Sequence, residues 1–253
     1  MHRFHLPAEQ CRGATLTLTG DEAHHAARVL RVQPGERVLV LDGAGTQFVC
    51  RVATVARDSV HLAVVEKSFS PERECRITLL QSVPKGKIIE SIIQKATELG
   101  VSRIVPILSE RVVTHLDDED GQRKADKWQQ VAIEAIKQCG ALWLPRVETP
   151  VTPGQFIARN EFFNLPLVAS LQNDARHPRE YFSNFNAQHG RRPESACVWV
   201  GPEGDFTPAE MEAIKSSGAL PITLGLLVLR VETAATYCLS VLNYELSAPV
   251  TVP

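Results

Sequence analysis

Four residues, Gly201-Pro-Glu-Gly204, stand between an apolar run and the start of a helix. Ala196–Val200 (ACVWV) reads as a short buried strand. Thr207-Pro-Ala-Glu210 reads as a capping box, with threonine at the N-cap, proline at the first helical position and glutamate at N3. The order is strand, tight loop, helix. The two glycines allow torsions or close approaches that a side chain would forbid. Pro202 fixes a torsion and removes a donor. Glu203 is a charge held near a strand end, and ligands of open α/β sheets bind beyond the carboxyl ends of strands. Taken alone, this loop is equally an ordinary strand–helix turn. Two further strand ends resemble it in kind: Leu171-Gln-Asn-Asp174, and Leu224–Ala234 (LGLLVLRVETA). The second carries an apolar run, Leu226–Leu229, where polar turn residues normally sit. Such a run suits an adenine ring, with side chains against its faces and peptide groups at its edge. Arg230 and Glu232 then open the final helix, where a glutamate also suits the helix dipole.

No familiar nucleotide fingerprint competes with these loops. The chain holds no G-x-x-x-x-G-K-[ST], no G-x-G-x-x-G and no G-x-S-x-G, and Gly43-Ala-Gly45 lies in a hairpin turn. The missing glycine fingerprint disfavours a dinucleotide-binding oxidoreductase. His24 and His25 are adjacent and point to different faces, and His115 sits in an acidic loop. The six cysteines are scattered with no metal-ligand spacing, so no metal is expected. The N-terminus MHRFHLPAEQ has no apolar leader, and no run approaches the roughly 20 apolar residues of a membrane span. A reducing cytoplasm and no membrane partner are therefore expected. The net charge of −2 argues against a uniformly basic nucleic-acid binder and leaves a local basic patch open.

The elements that must position these loops fall into two groups. Residues 1 to about 67 look β-rich. A short helix, DEAHHAARVLR, is capped by Asp21 and followed by strands at Glu36–Leu41, Gln47–Val55 and Ser59–Val65. Short strands with close turns suggest a small barrel. Ser68–Cys75 reads as a linker. Strands and helices then alternate: Arg76–Val83, a helix GKIIESIIQKATELG stopped by Gly100, Arg103–Leu108, a helix Trp128–Cys139, Leu165–Leu171, ACVWV, the capped helix, Leu220–Gly225 and a long helix from about Val231 to Leu246. Such alternation implies a mostly parallel sheet with helices on both faces. The expected domains are 1–70 and 75–248.

The chain resembles the 16S ribosomal RNA (uracil(1498)-N(3))-methyltransferase family of the SPOUT superfamily. The matching stretches are HHAARVLRVQPGE, IIQKATELGVSRIVPILSERVV, KWQQVAIEAIKQCG, VGPEGDFTPAE and LGLLVLRVETAA. Each is weak alone, and their order and spacing are specific. The resemblance implies an N-terminal PUA-like β-barrel for RNA and a C-terminal SPOUT α/β domain with a trefoil knot. It also implies a homodimer, and S-adenosylmethionine as cofactor. The cofactor residues it implies are Leu171, Gly201, Pro202, Glu203, Gly204, Leu224, Gly225, Leu229, Glu232, Thr233 and Ala234. Two positions depart from the family pattern: Leu227, where many members have arginine, and Gln172-Asn173 after Leu171.

Uridine N3 is protonated at neutral pH, so methylation needs the proton removed and the ring anion stabilised. Arg230 stays charged and cannot be a base. It is expected to hold the developing anion on a uracil carbonyl, or a phosphate beside it. Glu203 is a proton acceptor by type, or a structural loop residue. The expected RNA contacts are Arg3, Arg28, Arg31, Lys85, Lys87, Lys95, Arg103 and Arg111, reaching a base that must be unstacked. Arg28 and Arg31 lie three apart on one helix, and Lys85, Lys87 and Lys95 cluster on the next, where Lys95 and Glu98 also suit an intrahelical pair. The expected partner is 16S rRNA in the small ribosomal subunit. The alternatives are a SPOUT enzyme acting on another rRNA or tRNA position, and a non-catalytic RNA-binding assembly factor.

Overall fold

A computed structural model describes residues 1–111 and 118–247 of the chain; His115 and the expected domain end at 248 lie outside them. The chain divides into two compact units. One is Met1–Glu72 with Ile133–Leu144, and the other is Arg73–Ala132 with the chain from Pro145 onward.

In the first unit, β1 (Arg3–His5), β2 (Thr15–Thr19), β3 (Arg37–Leu41), β4 (Thr46–Val55) and β5 (Ser59–Phe69) form a sheet of order β1-β3-β4-β5-β2. β1 runs parallel to β3, and the other pairs are antiparallel. Alternating residues such as Leu16, Leu18, Val38, Val40, Val60 and Leu62 fill its core, as a period of two requires. The turn before β4 is fixed by Asp42, whose Oδ1 accepts from the N–H groups of Ala44 and Thr46 at 2.8 Å. Gly45 there has φ +94°, and a Cβ on it would lie 2.7 Å from the Ser70 carbonyl, so only glycine fits. β1 and β2 were not anticipated, and β5 runs through Phe69 into the stretch read as a linker. The short helix α1 (Gly20–His24) starts after Thr19 at the N-cap, with no side-chain cap, so Asp21 does not cap it. It passes into a π-helical turn, His25–Val29.

In the second unit, β6 (Arg76–Ser82), α2 (Ile88–Glu98), β7 (Arg103–Ile107), α3 (Asp118–Cys139), β8 (Arg146–Val147), α4 (Pro153–Ile157), β9 (Leu165–Ala169), α5 (Pro178–His189), β10 (Ser195–Val200), α6 (Pro208–Ser216), β11 (Leu220–Ile222) and α7 (Val231–Leu246) follow in order. Only α3 is shared, its last turns belonging to the first unit. The sheet order is β11-β9-β10-β6-β7-β8, and every pair is parallel. This is the α/β architecture that the alternation implied, with α4, α5 and β8 added. Parallel strands carry their carboxyl ends to one edge, so the loops after β11, β9, β10 and β6 become neighbours there. One core cluster of the unit holds Leu80, Val105, Val168, Trp199, Met211 and Ile214. α6 begins as expected: Thr207 accepts from the Glu210 N–H, and the Glu210 carboxylate accepts from the Thr207 N–H at 2.9 Å. Among the described residues no helix is long and apolar enough to cross a membrane.

Candidate functional site

The loops after β9, β10 and β11 enclose a cavity of about 420 Å³. Of the residues expected to hold a cofactor, Leu171, Gly201, Pro202, Glu203, Leu224, Gly225, Leu229, Glu232 and Ala234 line it, together with Arg230. Gly204 and Thr233 do not line it.

Local chemistry explains how the loops hold their shape. A Cβ on Gly201 would lie 2.9 Å from Asp205 Oδ1 and 3.3 Å from the Phe206 nitrogen, so glycine is needed there. Asp205 itself has φ +60°, a region that aspartate tolerates because its side chain bonds locally. Its carboxylate accepts from the Phe206 N–H at 2.8 Å, and its own N–H donates to the Pro202 carbonyl at 2.9 Å. In the third loop Gly225 has φ +109°, and its N–H donates to Thr223 Oγ1 at 3.2 Å. The Ser170 N–H donates to the Ile222 carbonyl at 3.0 Å, joining the first loop to the third strand. Gly204 is different. A Cβ there meets only the flexible Arg111 side chain at 3.4 Å.

Glu203 is exposed, and its Oε1 accepts from the Lys85 N–H at 3.2 Å. Arg230 is the N-cap of α7 and exposed, and its guanidinium has no hydrogen bond or ion pair among the described residues. The cavity wall therefore combines apolar loop residues, three carboxylates (Glu203, Asp205 and Glu232) and the Arg230 guanidinium. Such a wall suits a ligand with an apolar ring system, positive charge and an anionic group. Ile88, Ser170, Val200 and Asp205 line the cavity without having been anticipated. Asp205 stood beside the glycine motif, with no signal of its own in the sequence. Of the two departures from the family pattern, Gln172 is engaged by Lys215 Nζ at 3.2 Å, while Leu227 lines the cavity and is 75% exposed.

The cations expected to meet RNA separate into two kinds. Lys85 and Lys87 are exposed but precede α2 rather than riding on it. Lys95 forms the intrahelical pair with Glu98 at 2.9 Å. Arg103 donates to Glu161 at 2.5 Å and to Thr78 Oγ1 at 3.3 Å, with Glu148 at 3.5 Å, and is held inside its own unit. Arg111 donates to the Gly204 carbonyl. Arg3 donates to the Gln138 carbonyl at 2.9 Å. Arg28 lies in the π-helical turn, whereas Arg31 has φ +54° and has left it, so the two do not share one helix side. Among the described residues no cluster of His, Cys, Asp or Glu could hold a metal.

The chain is similar to known proteins over most of its length. A family model described as an RNA methyltransferase domain matches residues 71–243, and one described as an RNA methyltransferase PUA domain matches residues 18–65. Ribosomal RNA small subunit methyltransferase E of Bacillus subtilis is 31% identical over 91% of this chain and 90% of its own length. The protein of that name from Synechocystis is 34% identical over 96% of this chain and 77% of its own. A Legionella pneumophila structure with bound SAM superposes with TM-score 0.85 at 31% identity, covering 96% of each chain. The ribosomal RNA small subunit methyltransferase E of Neisseria gonorrhoeae, bound to S-adenosyl methionine, gives TM-score 0.83 at 27% identity, covering 96% of this chain and 97% of its own. This chain, with the RNA methyltransferase domain over most of its length and the PUA domain before it, belongs to the RNA methyltransferase family of these proteins.

Proposed function

We propose that this protein transfers a methyl group from S-adenosylmethionine to N3 of a uridine in 16S ribosomal RNA, the uridine 1498 of the family it resembles. The observation that carries this reading is one cavity built from three parallel-strand ends, in a family with SAM-bound members. The residues fit the cofactor. Apolar walls from Leu171, Leu224 and Leu229 suit an adenine ring, and the carboxylates suit its sulfonium and ammonium charges. When bound, the sulfonium supplies an activated methyl group. The protein supplies orientation and electrostatics.

Gly201 and Gly225 let the backbone take the shape that the loops need. Arg230, unpartnered among the described residues, stands at the cavity to stabilise negative charge on the uracil ring as the N3 proton leaves. Glu203 holds the loop after β6 through one carboxylate oxygen, and its second oxygen is available to accept the proton. Arg28, Arg31, Lys85 and Lys87 are exposed cations suited to phosphate contacts. Arg3, Lys95, Arg103 and Arg111 act chiefly within the protein.

The same reading includes the trefoil threading of the C-terminal segment, a homodimer and a cytoplasmic location beside ribosomes. Leu226, Leu227 and Val228 form a contiguous exposed apolar stretch, and a second copy of the chain would cover it. The test is transfer of labelled methyl from S-adenosylmethionine to small ribosomal subunits, with the product nucleoside identified. N3-methyluridine at a single position supports the reading. Methylation of transfer RNA or of another ribosomal position replaces the substrate, and saturable cofactor binding without transfer to any RNA overturns the enzyme reading.

A further inference from the structure

The loop after β7 meets the glycine loop at two places, and Glu210 makes one of them. Glu210 is buried, 8% exposed, and has no ion pair among the described residues. Two backbone donors hold its carboxylate instead. Oε2 accepts from the Thr207 N–H at 2.9 Å, which is the capping bond of α6. Oε1 accepts from the Glu110 N–H at 2.8 Å, 100 residues earlier in the chain. The next residue, Arg111, donates from its guanidinium to the Gly204 carbonyl. Its Cδ lies 3.4 Å from where a Cβ on Gly204 would stand. The dipeptide Glu110-Arg111 therefore fastens both ends of the segment Gly204–Glu210, which includes Asp205 of the cavity wall.

A helix cap alone does not need this charge. α4 begins with the same kind of capping box, Thr152 to Gln155, and there a neutral glutamine accepts from the Thr152 N–H at 2.8 Å. Glutamine has one acceptor oxygen, and its other terminal atom is an amide donor. A carboxylate accepts at both oxygens, and burying one without a cation is costly unless both are bonded. At α6 the second oxygen goes to Glu110, not to the helix. We propose that Glu210 is a positioning residue for methyl transfer. Its second oxygen fixes Glu110, Glu110 places Arg111, and Arg111 holds the Gly204 peptide in the shape that binds S-adenosylmethionine. An unfastened loop samples other shapes, and cofactor affinity drops with the fraction still in the binding shape. The bound cofactor restores that shape, so the transfer step itself is spared. This inference rests on the placement of the cofactor in the cavity described above.

The test uses the full chain and S-adenosylmethionine, titrated by calorimetry without RNA, with Glu210→Gln, Arg111→Ala and the double variant beside the native protein. Glu210→Gln keeps an acceptor for the cap and sets an amide donor against the Glu110 N–H. Its Kd for the cofactor is expected to rise about fivefold to tenfold, the size of one lost hydrogen bond, and Arg111→Ala should match it. The double variant should bind no more weakly than the weaker single one, because both residues act through one strap. In steady-state transfer to small ribosomal subunits, Glu210→Gln should raise KM for the cofactor and keep kcat within about twofold of native. Native cofactor affinity in Glu210→Gln, whatever its melting temperature, overturns the inference and leaves a helix cap. Losses that multiply in the double variant overturn it too, as does a kcat that falls as far as the affinity. If Glu210→Gln does not fold, Arg111→Ala decides, since Arg111 is exposed: native affinity there overturns the inference. Gly201→Ala is the control for the site. No cofactor binding by the native protein, or equal binding by Gly201→Ala, removes the cofactor from this cavity, and this inference falls with it.

Discussion

The Glu203 carboxylate accepts a hydrogen bond from the Lys85 backbone N–H at 3.2 Å, joining loops 118 residues apart in sequence. The bond clasps the loop after β6 to the loop after β10 at the rim of the cavity. Glutamine keeps an acceptor oxygen at this place and alanine does not. Glu203→Gln should therefore bind S-adenosylmethionine about as well as the native protein. Glu203→Ala should bind about fivefold more weakly, the size of one exposed hydrogen bond of about 1 kcal/mol. Calorimetric titration reads both. The transfer rate then separates clasp from base: a proton acceptor loses its rate in Glu203→Gln with cofactor affinity intact, and a clasp does not.

The glycines of the motif should differ sharply. Gly201→Ala drives a Cβ to 2.9 Å from Asp205 Oδ1, so the loop must shift. Gly225→Ala forces a side chain onto φ +109°. Gly204→Ala meets only Arg111 at ordinary contact distance. Cofactor affinity should drop at least about tenfold in the first two, with a stability loss of about 1 kcal/mol or more at Gly225. Gly204→Ala should stay near native. Equal losses at all three positions would contradict this account of the loop.

Arg230 lines the cavity, and its guanidinium has no hydrogen bond or ion pair among the described residues, so its removal should act on chemistry more than on binding. Arg230→Ala is expected to keep cofactor affinity within about threefold and to lower single-turnover methyl transfer by roughly 10²–10³, the effect of deleting one oxyanion donor. Arg230→Lys keeps the charge without the planar fork and should fall between. A normal rate in Arg230→Ala would remove it from the mechanism.

Glu161 gives a pH prediction. Burial pushes its pKa up, but hydrogen bonds and charge from Arg103 and Arg159 outweigh this and hold it below the usual 4.5. A depressed folded pKa means stability that is present above 4.5 and lost as pH falls through the folded value. Glu161→Gln should melt lower than the native protein at neutral pH, by about 1 kcal/mol at most for a partly exposed pair. The gap should close in acid below pH 4.5. A gap that persists unchanged there would mean that the ion pairs are not its source.

The parts legible in the sequence are those whose signals are local. Thr207 and Glu210 announce a helix start within four residues, and both expected cap bonds form. The apolar face of α2 and the glycine after it are equally local. β1 and β8 are three and two residues long, too short for periodicity to register. α5 carries its apolar residues sparsely, with only Pro178, Phe182 and Phe185 buried. The π-helical turn at His25 is invisible because the widening answers to where Ala26 and Val32 are buried, a tertiary condition. At the site, the loops after β10 and β11 were readable from their glycines and the misplaced apolar run, and the loop after β9 only from its place at a strand end. Asp205 was not, because its left-handed torsion, φ +60°, is not announced by the residue type. Nor could the sequence show that Arg103 is paired, because its partner Glu161 lies 58 residues further on.

The first unit is finished out of order. Its hairpin at Gly45 donates to the Leu142 carbonyl at 2.9 Å, Trp143 Nε1 donates to the Ser70 carbonyl at 3.0 Å, and buried Lys137 pairs with Glu22 at 2.6 Å. All three partners arrive from Ile133–Leu144, long after residue 72 has been synthesised. On a ribosome making this protein, the N-terminal sheet must wait, with polar groups and an edge unsatisfied, while β6, α2, β7 and most of α3 emerge. Folding during synthesis therefore cannot proceed one module at a time. A fragment cut at residue 72 is an interrupted assembly, and grafting this unit onto another enzyme would have to carry the later segment with it.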